Sequence, residues 1–390
     1  MAWRIPPSQT TTVTLASGDD VFIGDNIAIT VEGVNASGIG GQFSGHRALI
    51  YGLVASASGS TVFFGLNGFN DSGQVVEVKA GGHVHHLGIN DAVRVLGYAS
   101  SVVNAGLISS LFGNGVSMEG TNFSGTVSTL NNSGTIEGVN GVVHGGTEAL
   151  VITNSGTITG KSHAFDSGLG IGSEYITNSG RMIGTIDLGF GSDFYSGAAG
   201  RLSGKLFAGS GNDIVIGGVD HDWFEGGNGN DALTGNAGND RLIGDDNNDT
   251  LNGGIGNDVL NGGTQNDTLF GGPGNDDLTG GANNDFFVFN TALNAATNRD
   301  AVRDFSHVDD TFRLENAIFT KLGGGAGAHQ LNPAFFRAGA AAADANDYIV
   351  YNRASGVLFY DANGNAAGGA IAFALLVNRP VLAANDFVVI

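Results

Sequence analysis

Between Ala208 and Phe289 the apolar positions recur at a fixed interval of nine: Val215, Phe224, Leu233, Leu242, Leu251, Leu260, Leu269, Leu278 and Phe287. A period of nine fits neither an amphipathic helix nor one alternating strand, so it marks a repeat in which a short strand and a turn alternate. Each apolar residue stands two places after an aspartate. Those aspartates form an unbroken series of Asp213, Asp222, Asp231, Asp240, Asp249, Asp258, Asp267, Asp276 and Asp285. Glycines precede each one, as in GGNGNDALT from Gly226 to Thr234, and the unit reads GGxGxDxUx with U apolar. Two units are expected to complete one coil, so that equivalent aspartates stack on each side.

Upstream the pattern is looser. NNSGTIEG from Asn131, TNSGTITG from Thr153, TNSGRMIG from Thr177 and, more distantly, VNAGLISS from Val103 place Asn104, Asn132, Asn154 and Asn178 at intervals of 28, 22 and 24. Such intervals match one coil of a parallel β-helix better than one hairpin of a sandwich, and Asn132, Asn154 and Asn178 are expected to stack as an internal ladder. Strands are predicted at Ala48 to Tyr51, Val75 to Val78, Val93 to Leu96 and Ala149 to Thr153. Helical periodicity is lacking, with room for a turn or two only between Asn332 and Ala345. After Phe289 the nonapeptide stops, and strands at Thr311 to Leu314, Tyr348 to Tyr351, Val357 to Tyr360 and Ile371 to Leu375 predict a compact cap. The expected fold is therefore all-β: a right-handed parallel β-helix over residues 1–205 continuing into a parallel β-roll over 206–289, with a β-rich cap over 290–390. GFGSD from Gly189 and SGDD from Ser17 echo half a nonapeptide, which points to a helix that enters the roll without a flexible linker.

Composition narrows the partners. With 67 glycines, only 5 prolines and abundant Val, Ile, Leu and Phe, the chain is neither collagen nor a disordered tract. A net charge of -21 argues against nucleic acid or an anionic membrane and in favour of cations. Residues 206–289 alone carry thirteen Asp and one Glu against a single Arg, Arg241. No cysteine is present, which excludes a disulfide scaffold and a thiolate metal site. The N-terminal MAWRIPPSQTTT lacks the apolar core of a secretory signal peptide, and the longest apolar run, Ala370 to Val377, is too short to span a bilayer. No transmembrane segment is expected, and export would take another route.

Calcium explains the nonapeptide. The ion takes six to eight hard oxygen ligands in a flexible geometry. Glycines let the turn curl so that its carbonyls point inward, and the aspartate adds a carboxylate. Without the ion, carboxylates one strand spacing apart, about 4.8 Å, repel one another. Each strand buries one or two apolar residues, too little to order nine, so ion binding should drive folding. A solvated glycine–aspartate linker would share the composition but would have no use for the apolar residue. Some copies depart from the unit: position four is Asp220, Asn247, Gln265 and Asn283, and position two is Asn236 and Asp245.

The nonapeptide resembles the RTX, or haemolysin-type, calcium-binding repeat of proteins exported by bacterial type I secretion. The resemblance implies several Ca²⁺ ions, roughly seven, held between stacked turns because end repeats lack a neighbour. It implies as ligands the nine aspartates and the carbonyls of Gly209, Gly211, Gly218, Gly227, Gly229, Gly238, Gly254, Gly256, Gly263, Gly272, Gly274 and Gly281. RDFSHVDDTFRLEN, LFYDANG and DFVVI resemble the cap and uncleaved secretion signal of such proteins, which implies an extracellular or cell-surface location. The first half is similar to the NSGTI repeats of bacterial surface and autotransporter-like passenger proteins.

Catalytic signatures are lacking. The chain has no HExxH and no GxSxG, and GTITGKS from Gly156 misses the phosphate-binding loop by one residue of spacing. Arg47, Lys79, Arg94, Lys161 and Arg181 are scattered, without the acid–base–Arg cluster of a β-helical lyase. His83 and His85 would share one strand face as a metal-binding pair, against the ordinary reading of a polar outer face with no third ligand nearby. The sequence thus describes a non-enzymatic, calcium-dependent extracellular protein, structural or adhesive, of a surface layer, matrix or filament. Its candidate partners are calcium, further copies of itself and cell-surface polysaccharide. The alternative is a polysaccharide-modifying β-helix, lyase or epimerase-like, that uses the roll for export. Cytolysis is disfavoured because no long apolar segment is available to enter a membrane.

Overall fold

The computed structural model describes residues 47–56, 60–64, 73–97, 99–120, 126–323 and 327–390. It adds the backbone of five strands, Ala2–Arg4, Val13–Leu15, Asp20–Ile23, Ala28–Val31 and Ile39–Gly41. Of the SGDD segment only Asp20 falls within that set; Ser17, Gly18 and Asp19 lie outside the described residues. The chain forms two compact units, Met1–Gly211 and Asn212–Ile390, and the second holds both the roll and the cap.

The first unit is a parallel solenoid with three strands to a coil. One stack runs through Arg47–Ile50, Val75–Val78, Ser101–Asn104, Val127–Asn132, Ala149–Asn154 and Glu174–Asn178. A second runs through Leu53–Ser56, His83–His86 and Leu107–Ser110 into the first halves of the long strands Thr135–His144 and Thr157–Asp166. A third joins Val62–Phe64, Val93–Leu96 and Val116–Glu119 to the second halves of those long strands, which cross a register shift between Gly138 and Asn140. Side chains alternate inward and outward as a pleated strand requires. In register, Val76, Val102, Leu130, Ile152 and Ile176 line the interior at 0% exposure.

In the second unit the coil shortens to eighteen residues and two strands. Ile214 pairs with Ala232, Ala232 with Thr250, Thr250 with Thr268 and Thr268 with Phe286, all parallel. On the other side Trp223 pairs with Arg241, Arg241 with Val259 and Val259 with Asp277. The nine apolar residues of the repeat fill the space between the two sheets, none more than 1% exposed. The cap takes up both sheets, with Thr311–Leu314 on Phe286–Phe289 and Asp300–Val302 on Asp277–Ala282. Phe387–Val389 then adds to Thr311–Leu314, and Ala370–Leu376 to Asp300–Val302 and to an antiparallel meander with Val357–Asp361 and Ile349–Asn352. Phe305 and Phe312 stack with ring centroids 4.1 Å apart, and Phe387 lies 5.2 Å from Phe312. The segment with room for helix forms one 3₁₀ turn, Pro333–Phe335, where Asn332 Oδ1 accepts the Ala334 N–H. Among the described residues no helix is long and apolar enough to cross a membrane.

Candidate metal centre

The eighteen-residue coil sets each aspartate beneath its equivalent in the next coil. The backbone N–H of Asp213, Asp222, Asp231, Asp240, Asp249, Asp258 and Asp267 donates to Oδ1 of the aspartate eighteen residues on, at 2.7 to 2.9 Å. All nine aspartates are buried, at most 6% exposed. Oδ1 of the seven from Asp231 to Asp285 is thereby satisfied. Oδ2 of Asp231, Asp240, Asp249, Asp258, Asp267, Asp276 and Asp285 is buried with no hydrogen-bond partner, whereas Asp222 Oδ2 accepts the Gly218 N–H at 2.9 Å.

The turn that presents these oxygens depends on backbone handedness. Positions two and four take positive φ, from 99 to 147° at Gly209, Gly211, Gly227, Gly229, Gly238, Gly254, Gly256, Gly263, Gly272 and Gly281. Gly218 and Gly274 do not. Where glycine is replaced, Asn236, Asp245, Asn247, Gln265 and Asn283 hold φ between 71 and 85°; Asn and Asp tolerate this region better than most side chains. Position one makes a different demand. A Cβ at Gly226 would collide with Asp231 Oδ2 and with the Gly244 carbonyl of the next coil, and Gly235, Gly244, Gly253 and Gly262 repeat that arrangement. From Asp231 to Asp267 the spot beside the unpartnered Oδ2 is thus bordered by a carbonyl oxygen from position one, where the sequence had pointed to positions two and four.

A second ladder lies outside the first. At position five Asn230 donates its N–H to Asn212 Oδ1, and Asn248, Asn266 and Asn284 continue the series at 2.8 to 3.0 Å. On the other side Asn239 donates to His221 Nδ1 at 2.6 Å, followed by Asn257 and Asn275. The inner ladder reaches from each coil to the one after, and the outer ladder from each coil to the one before.

Burial governs the charge state of the inner ladder. It pushes Asp222, Asp231 and Asp258 up to about 6, Asp267, Asp276 and Asp285 up to about 7, and Asp249 up to about 8. At Asp249 the neighbouring carboxylates of Asp231, Asp267 and Asp245 add to the effect of burial. Stacked acids that accept but cannot donate suit a hard cation: the donors are all oxygen, the orphaned Oδ2 atoms face inward, and the position-one backbone leaves room for no side chain. Among the described residues no group of three or more histidine or acidic side chains is placed to hold a metal ion by itself. An ion in the roll would therefore draw most of its ligands from the backbone, as Ca²⁺ does when carboxylates are few.

Fold and donor set together define a calcium-binding β-solenoid. Residues 205–233, 225–260 and 252–287 match the RTX calcium-binding nonapeptide repeat. The chain thus carries RTX calcium-binding repeats together with a parallel β-helix. No curated protein matches it.

Elsewhere, His83 and His85 do share the outer face of their strand, while Val84 and His86 point inward. His85 Nδ1 lies 2.6 Å from Ser109 Oγ, and among the described residues no third ligand joins the pair. Arg47 and Lys79, far apart in sequence, both pair with Glu77. Asp193 of GFGSD accepts the Glu174 N–H at 2.8 Å, the backbone-to-carboxylate contact seen in the roll. One cluster has no motif to announce it. His144 Nδ1 stands 2.6 Å from Glu174 Oε1, and His144 Nε2 stands 3.8 Å from Glu148 Oε1, with all three residues at most 2% exposed. Burial opposes the charged imidazole, yet Glu148 and Glu174 raise His144 to about 9. The cluster is sealed from solvent.

Proposed function

We propose that the protein is a secreted, calcium-dependent structural or adhesive element of a surface layer, matrix or filament, exported unfolded by type I secretion and folded by Ca²⁺ outside the cell. The observation that carries this reading is the double row of buried carboxylates with unpartnered Oδ2 atoms. Such rows remain unstable until a divalent ion enters, and extracellular-type sites of roughly 0.1 to 1 mM affinity stay empty where calcium is scarce. Supporting it, both units repeat the same contacts coil after coil. A solenoid of this kind offers an extended surface to a partner rather than one focused cleft.

Electron microscopy and light scattering of the purified protein, with Ca²⁺ and with excess chelator, test the assembly. Higher-order species are expected with calcium and should vanish without it. A calcium-loaded protein that stays monomeric at every concentration would sink the structural role.

A further inference from the structure

One corner of the first unit is held with little help from apolar side chains. Three glycine-rich turns stack there, residues 145–148, 167–173 and 189–192. Their backbones interlock. The Ile171 N–H donates to the Gly146 carbonyl at 3.1 Å, and a Cβ at Gly172 or Gly191 would strike the carbonyl of Glu148 or Gly172 one coil back. Leu169, Ile171 and Phe190, the large apolar residues of these turns, point outward at 91, 65 and 50% exposure.

What the corner buries instead is charge. His144 closes its strand, and its ring lies between two carboxylates, with Glu174 Oε1 2.6 Å from Nδ1 and Glu148 Oε1 3.8 Å from Nε2. Glu148 immediately precedes the strand Ala149–Asn154, and Glu174 opens the next, Glu174–Asn178, so the ring ties its own coil to the two that follow. Ser128 Oγ donates to Glu148 Oε1 at 3.3 Å. His144 Nε2, Glu148 Oε2 and Glu174 Oε2 are buried with no hydrogen-bond partner, so the grip on the Glu148 side rests on unlike charge. One coil earlier, Met118 stands in register with His144 and Leu150 with Glu174.

We propose that His144 is a pH-operated latch: with its proton it clamps the three turns of this corner, and without it the turns at 145–148 and 167–173 open while the strands beside them stay paired. Two buried carboxylates that face a neutral ring have lost the partner that offset their burial, where few apolar contacts can hold the backbone closed. Burial opposes the charged ring, yet the carboxylates prevail and hold it at about 9. A cation favoured by the fold contributes fully below its ordinary value of 6.5, and that contribution is lost as pH climbs through about 9. The charged groups around the ring are Glu148 and Glu174, with Asp193 behind Glu174, while Glu119 beside Gly145 is engaged by Arg94.

Hydrogen exchange of the full chain at saturating Ca²⁺, with each rate divided by that of the unfolded chain at the same pH, tests the latch. Between pH 6 and pH 10 opening of residues 145–148 and 167–173 should increase on the order of a hundredfold, while Val127–Asn132 and Ala149–Asn154 keep their protection. His144→Gln should open the corner at pH 6 as far as the wild type opens at pH 10, and leave no pH dependence. Should that variant fail to fold, His144→Met combined with Glu148→Gln and Glu174→Leu decides, since Met and Leu are the residues one coil earlier. Its corner should stay closed at both ends of the range. A wild-type corner whose opening does not change with pH overturns the proposal, as does a triple variant that opens with pH as the wild type does. Opening that spreads equally through the flanking strands refutes a local latch.

Discussion

Each unit carries an internal ladder, and the two differ in one chemical respect. In the first, Asn104, Asn132 and Asn154 each donate from Nδ2 to Oδ1 of the next asparagine at 2.8 Å. An amide both gives and accepts, so this ladder is complete within the chain. In the second, a carboxylate accepts the backbone N–H through Oδ1, and Oδ2 of Asp231 through Asp285 along the ladder has nothing left to accept. Replacing NH₂ by O⁻ turns a self-sufficient stack into one that requires an external positive charge. The same solenoid logic thus produces one unit whose ladder closes within the chain and one that, on the function proposed above, depends on calcium.

The largest effect expected is on the fold of the second unit. In excess chelator, hydrogen-exchange protection should disappear across residues 232–282 and across Thr311–Leu314, while Ser101–Asn104, Ala149–Asn154 and Arg181–Asp187 keep theirs. Equal protection of both units in chelator would break the comparison. Next comes Asn154→Asp, which places in the first unit the group on which the second depends. Its new oxygen would face Asn178 Oδ1 with no proton between them, and the buried charge should cost about 3–5 kcal/mol, read from a denaturant midpoint. A cost below about 1 kcal/mol would show that amide and carboxylate are interchangeable there.

The smallest effect is the one of pH. Burial raises the roll aspartates, to about 6 at Asp231 and to about 8 at Asp249, so the folded metal-free roll holds protons that the unfolded chain releases. Its stability is therefore fully present below the ordinary carboxylate range and is lost as pH climbs through those raised values. Chelated protein should gain β-signal in far-UV circular dichroism on acidification from about pH 8 to about pH 5, and apparent calcium affinity should fall over the same interval as protons compete. The asparagine ladder does not titrate and adds no such dependence. A chelated roll that loses β-signal on acidification would contradict the cause assigned to these shifts.

The sequence made the roll legible because one period fixes both the core residue and the acid: Leu251 and Asp249 cannot be moved independently. The coil of the first unit was readable wherever NSG recurred, as at Asn132, Asn154 and Asn178, but its three-strand cross-section was not, since corners such as Gly138 to Asn140 fall inside continuous strands. Asp300 and Asp310, which accept the Asp276 and Asp285 N–H groups as the repeat aspartates do, escaped because residues 290–298 lengthen the step between coils. A search for an aspartate two places before a core residue, without the glycines, would have found them. The His144 cluster left no trace because Glu174 lies 30 residues away and is joined to His144 only by folding. The position-one glycines were visible all along. Only the folded coil shows that they differ in purpose from their neighbours, one set bending the chain and the other making way for an oxygen.

The inner and outer ladders of the roll meet every coil through the same atoms, one reaching forward and the other back. Length is therefore an adjustable quantity. Excising eighteen residues from the middle of the roll would rejoin identical partners and shorten it by one strand spacing, about 4.8 Å. A cut of ten would set aspartate against asparagine along the whole seam. Such a part can be lengthened or trimmed in whole coils, each bringing its own pair of buried carboxylates.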